Sequence, residues 1–272
     1  MKTVLDTILE DVREALSGDK LRRPLADVRR MCVDAPPPRD FHGALAGSFG
    51  LIAEIKERSP SVGPMRAENV REAVSAYSES PVVRAVSVLT NERHFGMNIE
   101  RLAAIRKAVP QPVLRKDFLI EEYQIREARA FGADAVLLMA NVLDSTRLAG
   151  FYDLTRELGM EAIFEVHTAE EIHTLPAGAR VVGINSRKFK TSEGFVGAGG
   201  SSAKDFSLDL GVFGLVGELP EAALKVAESG ISPSTIDGVR EKFQAALVGT
   251  SLLRDPRGLR ACLREFEQAV GV

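Results

Sequence analysis

From residue 50 onward the chain alternates two kinds of pattern. Short apolar runs recur at 51–55, 85–89, 113–114, 135–139, 162–166, 181–184, 224–227 and 245–248. Between most of them lie stretches with helical spacing of apolar residues, at 68–79, 99–109, 123–131, 145–158, 169–175 and 233–242. Strands alternating with helices predict parallel βαβ units wound right-handed. Eight such runs over roughly 200 residues fit a (β/α)8 barrel of the α/β class better than an open doubly wound sheet. The open sheet with a nucleotide site is the second reading, and no GxGxxG or GxxxxGK[ST] follows any run to support it.

The first 48 residues follow a different plan. Thr3 caps a predicted helix with Asp6 three residues on, and Val4, Ile8, Val12 and Leu16 share one face before Gly18. A second short helix is predicted around Leu25 to Met31, and the prolines at 36, 37 and 38 stop helix formation ahead of Phe41. No interior linker marks a domain boundary, so residues 1–272 read as one barrel domain with a helical extension at 1–48. One region breaks the even rhythm: 191–218 has a glycine-rich centre at 194–200. In a barrel this loop leaves the sixth strand, and both a lid and a disordered loop fit its composition.

Length and composition narrow the classes. At 272 residues the chain reaches barrel size, and its 45% hydrophobic and 27% charged residues are ordinary for a soluble globular protein. A net charge of -3 gives no electrostatic reason to expect nucleic acid or an anionic membrane as partner. Cys32 and Cys262 are too few for a disulfide framework and read as packing residues in a reducing compartment. The charged N-terminus is unlike a signal peptide and no apolar run of 18 residues occurs, which makes the cytoplasm the expected location.

Candidate chemistry collects where strands end. Glu54 and Lys56 lie two residues apart on the first strand and so share a face. The third strand ends in Arg115-Lys116-Asp117, and the fifth gives Glu165 on the face of Ile163. The sixth gives Asn185 with Arg187 two residues on; the seventh ends in Glu228-Ser229-Gly230, the eighth in Gly249-Thr250-Ser251. In a barrel these ends form one rim, where active sites sit. Ser229-Gly230 and Gly249-Thr250 offer open backbone N–H groups and hydroxyls where barrels hold phosphate, although tight turns would also use such residues. Lysines and carboxylates without a histidine at a strand end suggest Lys/Glu acid–base chemistry. The four histidines (42, 94, 167 and 173) read as surface or loop residues, and none is spaced with another as a zinc ligand.

These residues sit in segments that resemble the indole-3-glycerol phosphate synthase family of tryptophan biosynthesis. The matching pieces are IAEIKERSPS (52–61), SVLTNERHFG (87–96), VLRKDFLIEEYQIREARAFGADAVLL (113–138), EVHTAEE (165–171), GINSR (183–187), AESGIS (227–232) and LVGTSLLR (247–254), in family order. The resemblance implies a carbon–carbon lyase. It closes 1-(2-carboxyphenylamino)-1-deoxyribulose 5-phosphate to indole-3-glycerol phosphate with loss of carbon dioxide and water, without metal or cofactor. It also implies that the extension caps the barrel mouth.

Carried over by motif, Lys116 would be the general acid at the ribulose carbonyl and Glu165 the base in dehydration. Lys56 would pair with the substrate's carboxylate and phosphate charges. Glu54 would orient Lys116, while Asn185 and Glu228 hold the polar network around the developing hydroxyl. Arg187 would meet the anthranilate carboxylate with Ser59 nearby. Phe95, Phe118, Leu137 and Pro60 would wall the aromatic ring, and Ser229, Gly230, Gly249 and Thr250 would hold the phosphate. The expected partner is this phosphorylated small molecule, on a monomer or weak homo-oligomer. Three departures from the family pattern stand out: Val62 after SPS, Lys188 after Arg187, and about a dozen extra residues between Arg187 and Glu228. A Schiff-base aldolase using Lys56 or Lys116, or a non-catalytic phosphate-sugar-binding barrel, would share the same rim.

Overall fold

A computed structural model of the chain describes residues 3–187 and 207–272. Every apolar run forms a strand: β1 (Gly50–Ile55), β2 (Val83–Leu89), β3 (Val113–Lys116), β4 (Ala135–Met139), β5 (Glu161–Val166), β6 (Val181–Asn185), β7 (Leu224–Glu228) and β8 (Ala245–Val248). They close a barrel in the order β1-β8-β7-β6-β5-β4-β3-β2, and each neighbouring pair is parallel. The fold is the (β/α)8 barrel that the alternating pattern predicts.

The period of two divides the apolar side chains between two cores. Ile52, Leu114, Ile163, Val181, Val226 and Ala245 face inward and fill the barrel interior. Their neighbours Leu51, Ala53, Val86, Val136, Phe164 and Val182 face outward against the helices, among them Leu102 of α6, Ile125 of α7 and Phe266 of α12. These helices are α4 (Ala67–Glu79), α6 (Ile99–Ala108), α7 (Glu122–Ala130), α8 (Ser145–Glu157) and α12 (Leu259–Val270), with short turns α5 (Glu92–Phe95), α9 (Ala169–Ile172), α10 (Asp237–Arg240) and α11 (Thr250–Leu253) among them. Burying each large apolar side chain contributes about 1.5–3 kcal/mol, so both cores are needed to hold the ring closed.

The N-terminal segment forms α1 (Val4–Arg22), α2 (Leu25–Asp34) and α3 (Phe41–Leu45). The capping box is as the sequence predicts: Thr3 Oγ1 accepts the Asp6 N–H at 3.1 Å, and the Asp6 carboxylate accepts the Thr3 N–H at 3.0 Å. The helix does not stop at Gly18 but runs on to Arg22, ahead of Pro24. An interior glycine costs only about 1 kcal/mol, and burial of Leu5, Ile8, Val12 and Leu16 outweighs it. Leu5, not Val4, completes the buried face.

The extension reaches both ends of the barrel. Asp11 of α1 meets His94 Nε2 at 2.8 Å, on the turn that follows β2 at the mouth. At the opposite end Arg39 donates its N–H to Asp134 Oδ1 at 2.6 Å and its guanidinium to the Val109 and Gln111 carbonyls at 2.7 Å, just ahead of β4 and β3. Phe41 and Leu45 of α3 join the interior core there. Among the described residues no helix is long and apolar enough to cross a membrane.

The glycine-rich centre at 194–200 lies outside the described residues. The end of that stretch is a 3-10 helix, Leu210–Glu218, opened by the Asp209 carboxylate accepting the Gly211 N–H at 3.1 Å. Its Phe213 ring stacks edge-on against Phe243 at 5.4 Å, an apolar contact that outweighs the loop-like composition. The predicted helix at 233–242 shortens to α10: Ile236 and Val239 are both buried, but the chain ahead of Ile236 is held as a turn by the Ser232 N–H on Thr235 Oγ1 at 2.9 Å.

Candidate active site

Each of the charged rim residues is placed by the strand that carries it. Alternation turns Glu54, Lys116, Glu165 and Glu228 inward at the C-terminal ends of β1, β3, β5 and β7. A cavity of about 370 Å³ opens above them, lined by Glu54, Lys56, Lys116, Glu165, Asn185 and Arg187 among others. The convergence expected of the strand ends is therefore present in space.

Lys116 is the hub. Its Nζ donates to Glu165 Oε2 at 3.0 Å and to Glu228 Oε2 at 3.2 Å. Both carboxylates are almost wholly buried, while the lysine keeps a small face toward the cavity. Burial alone would lower the ammonium's pKa, but Glu165, Glu228 and Glu54 together hold it above the usual lysine value. The two carboxylates are split by the same field. Burial works to raise Glu165, yet Lys116 and His167 outweigh it and push the group down. Burial raises Glu228, and the charge of Glu165 adds to that against the pull of Lys116. The two shifts run in opposite directions, so of the pair Glu228 holds a proton the more readily.

Glu54 pairs with Lys56 through Oε1 and Nζ, as two residues of one strand face should. Glu54, expected to orient Lys116, bears on it through its charge, with no bond between them among the described contacts. Two glycines make room for this crowding. A Cβ on Gly249 would stand 2.3 Å from Glu54 Oε1, and one on Gly183 would stand 2.1 Å from Glu228 Oε1. The sequence offers Gly249 for phosphate contact or a tight turn; its close approach to a carboxylate is a further reason, and Gly183, which opens the GINSR segment, has the same one.

Around this centre Phe95, Phe118 and Leu137 form an apolar wall of the cavity, and Ser229, Gly230, Gly249 and Thr250 line its other side. Ser229 has φ 67° and Gly230 φ 72°, two successive left-handed residues, and for a serine that conformation is strained. The turn opens backbone toward the cavity. Arg187 faces the same space; burial lowers its pKa against the charges of Glu54 and Glu165. Its N–H is held by Asn185 Oδ1 at 2.9 Å.

Two expected residues do not reach the cavity. Ser59 and Pro60 belong to a small hairpin in which Arg58–Ser59 pairs with Gly63–Pro64, and Ser59 Oγ bonds Ser61 Oγ at 2.8 Å. Val62 lines the cavity in their place. The hairpin turns them aside, which the strand alternation of β1 could not foretell.

Of the residues flanking Lys116, Asp117 lines the cavity while Arg115 leaves it. Arg115 points outward, its guanidinium bonded to Thr90 Oγ1 at 3.0 Å, Glu127 Oε2 at 3.0 Å and Asp117 Oδ2 at 3.2 Å. This buried network, with Arg23 on Glu127 at 2.8 Å, ties α1 and α7 to β3. His167 is a further departure. It follows β5 in a loop as expected, but its ring is buried and Nε2 lies 3.4 Å from Glu165 Oε1. Alternation from Glu165 (two residues on, same face) was the signal that could have found it.

Comparisons with known proteins find relatives along nearly the whole chain. A sequence profile of the family described as indole-3-glycerol phosphate synthase matches residues 5–266. The indole-3-glycerol phosphate synthase of Micrococcus luteus is 41% identical over 280 residues, covering 98% of each chain. That of Saccharopolyspora erythraea is 40% identical over 256 residues, covering 92% of this chain and 90% of the relative. Among solved structures, 3-hexulose-6-phosphate synthase from Salmonella typhimurium superposes with a TM-score of 0.58 at 14% identity, over 82% of this chain and 98% of that one. A tryptophan synthase subunit alpha from Legionella pneumophila gives 0.56 at 15%, over 85% and 98%. At such identities these structures speak for the barrel fold alone.

Proposed function

The chain belongs to the indole-3-glycerol phosphate synthase family, and we propose how its residues divide the reaction of that family. It closes 1-(2-carboxyphenylamino)-1-deoxyribulose 5-phosphate to indole-3-glycerol phosphate, with loss of carbon dioxide and water. The observation that carries the assignment is Lys116 held between Glu165 and Glu228 at the floor of the cavity.

With the aryl ring against Phe95, Phe118 and Leu137, the phosphate sits at Ser229, Gly230, Gly249 and Thr250. The ketone carbon then lies over Lys116. The ring carbon bearing the carboxylate attacks it, and the Lys116 ammonium protonates the oxygen as negative charge develops there. Two buried carboxylates keep that lysine charged and aimed. Lys56 and Arg187 draw the substrate's carboxylate into place, and carbon dioxide leaves as the bonding electrons return to the ring. In the last step Lys116, recharged after the cyclisation, protonates the new hydroxyl, which departs as water, and Glu165, held ionised, takes the proton from the carbon beside the nitrogen. Asn185 fixes the loop of Arg187, and Glu228 presents a protonated carboxyl to the network around the hydroxyl.

We read the enzyme as one catalytic domain with its helical extension, acting in the cytoplasm as a monomer or weak homo-oligomer. Mixing the purified chain with the carboxyphenylamino ribulose phosphate tests the reading. Indole fluorescence should appear with turnover. Binding without fluorescence would leave a sugar-phosphate receptor instead, and borohydride trapping of an adduct on a lysine would point to an aldolase.

A further inference from the structure

The ring closure consumes one proton per turnover. The ketone oxygen takes one proton on cyclisation and the departing hydroxyl takes a second, whereas the carbon beside the nitrogen returns one. The carboxylate leaves as neutral carbon dioxide, so the missing proton must come from solvent. Yet the acid–base groups are deep: the Glu165 side chain is 1% exposed and Lys116 is 14% exposed, on the side that the substrate covers.

A line of polar groups leads from Glu165 toward the surface. Its Oε1, the oxygen that Lys116 leaves unbonded, lies 3.4 Å from His167 Nε2, an ion-pair contact a little longer than a hydrogen bond. His167 Nδ1 lies 3.3 Å from Glu171 Oε2. Exposure of the side chains rises along the line, from 1% at Glu165 to 10% at His167 and 18% at Glu171. Glu171 is fixed at this position: its carboxylate accepts the His167 backbone N–H at 2.7 Å, while its own N–H bonds the capping Thr168 Oγ1 at 3.3 Å. The carboxylates of Glu165, Glu171 and Glu228 face the imidazole, and Lys116 stands beyond Glu165.

We propose that His167 is a positioning and proton-relay residue, which passes the consumed proton from solvent at Glu171 to the buried Glu165. A proton enters at Nδ1 from the Glu171 side and leaves at Nε2 to Glu165 Oε1, so the imidazole returns to its starting charge. From Glu165 it restores Lys116 across the 3.0 Å bond. The relay rests on Glu165 acting in the reaction as proposed above. Burial works to lower the imidazole's pKa, but Glu171, Glu165 and Glu228 outweigh it and hold it above the usual histidine value. The wild-type enzyme should therefore lose turnover as pH rises through that value.

The test compares His167→Gln, His167→Ala and Glu165→Gln by steady-state kinetics across pH, with melting temperatures alongside. His167→Gln, which keeps packing but carries no proton, should lower kcat about 10-fold, less than loss of a direct general acid or base. Its KM and melting temperature should stay near wild type, and its alkaline limb should vanish. Added imidazole should restore part of the His167→Ala turnover. Wild-type kcat in His167→Gln, or a lowered kcat with an unchanged pH profile and no imidazole rescue, would overturn the relay. Full turnover in Glu165→Gln would instead reject the catalytic assignment itself, so the two failures are distinguishable.

Discussion

Lys116 Nζ stands 3.0 Å from Glu165 Oε2, a bond that joins β3 to β5 across the barrel interior and links residues 49 apart in sequence. Neither group would tolerate its depth alone, because an isolated buried charge loses its hydration without recompense. Together with Glu228 they form a triad whose net charge near neutrality is zero when Glu228 keeps its proton. The site is thus stable when empty and ready to meet an anionic substrate with the ammonium already formed.

Removing the cation should expose that dependence. Lys116→Met leaves two buried carboxylates facing each other, and breaking such a pair costs about 3–5 kcal/mol. Turnover should fall about 10²-fold or more. With Lys116 gone the folded pKa of Glu165 rises above its unfolded value, joining Glu228. A raised group contributes stability at low pH and loses it as pH rises through the folded value. The gap in melting temperature between variant and wild type should therefore be wider at pH 9 than at pH 5. A constant gap across that range, measured by thermal unfolding, would reject this view of the triad.

Glu165 and Glu228 should respond differently to the same isosteric change. Burial and the Glu165 charge keep the Glu228 carboxyl protonated beyond the usual carboxylate range, so Gln at 228 imitates its resting form. Glu228→Gln should retain more turnover than Glu165→Gln, which should lose about 10²-fold or more. Stability gives a second readout. Wild type loses the contribution of Glu228 as pH rises through its raised value, and the glutamine does not titrate. The variant's melting temperature should gain on wild type from pH 6 to 9, and equal kinetic losses in both variants would mean that Glu228 is ionised at rest.

How far the sequence revealed this site depended on whether strand alternation governed the residue. Glu54, Lys116, Glu165 and Glu228 lie on or at the ends of regular strands, so a period of two and a closed ring sufficed to bring them together. Ser59 and Pro60 lie past β1 in a hairpin whose turn sets their direction, and no pattern in the letters encodes that turn. Arg115 alternates away from Lys116 into the outer network, whereas Asp117 bonds that arginine and still lines the cavity, so the triplet is not one rim unit. His167 was legible by the same alternation but was classed by its loop position. Gly183 opens the matched GINSR segment, but the reason for a glycine there, an absent side chain beside Glu228, lies only in the folded structure.

That absence makes its own prediction. A Cβ on Gly183 would come within 2.1 Å of Glu228 Oε1, and one on Gly249 within 2.3 Å of Glu54 Oε1. Each carboxylate is walled in and must shift, breaking its bond to Lys116 or Lys56. Overpacking of this kind costs about 1–3 kcal/mol. Gly183→Ala and Gly249→Ala should each lower kcat about 10-fold or more through a displaced acid–base group. Gly238→Ala, where a Cβ meets nothing within 4 Å, should match wild type in both stability and turnover. Steady-state assays of the three variants decide, and wild-type kcat in the first two would show that the carboxylates have room to spare.

The two ends of the N-terminal extension should separate stability from binding. Ile8 of α1 is fully buried, and Asp11 on the same helix holds His94 at 2.8 Å, next to Phe95, which lines the cavity. Phe41 of α3 is equally buried but lies at the far end of the barrel, close to the Arg39 anchor. Ile8→Ala should cost about 2–5 kcal/mol and Phe41→Ala about 3–5 kcal/mol, as cavities in well-packed cores do. Only the first lies on the helix held beside Phe95, in the wall proposed to meet the aryl ring. Ile8→Ala should therefore raise KM several-fold, on the order of the 1–3 kcal/mol that a hydrophobic pocket contact supplies, with kcat little changed. Phe41→Ala, assayed well below its melting temperature, should keep the wild-type KM. Equal KM values in the two variants would mean that α1 steadies the fold without shaping the substrate pocket.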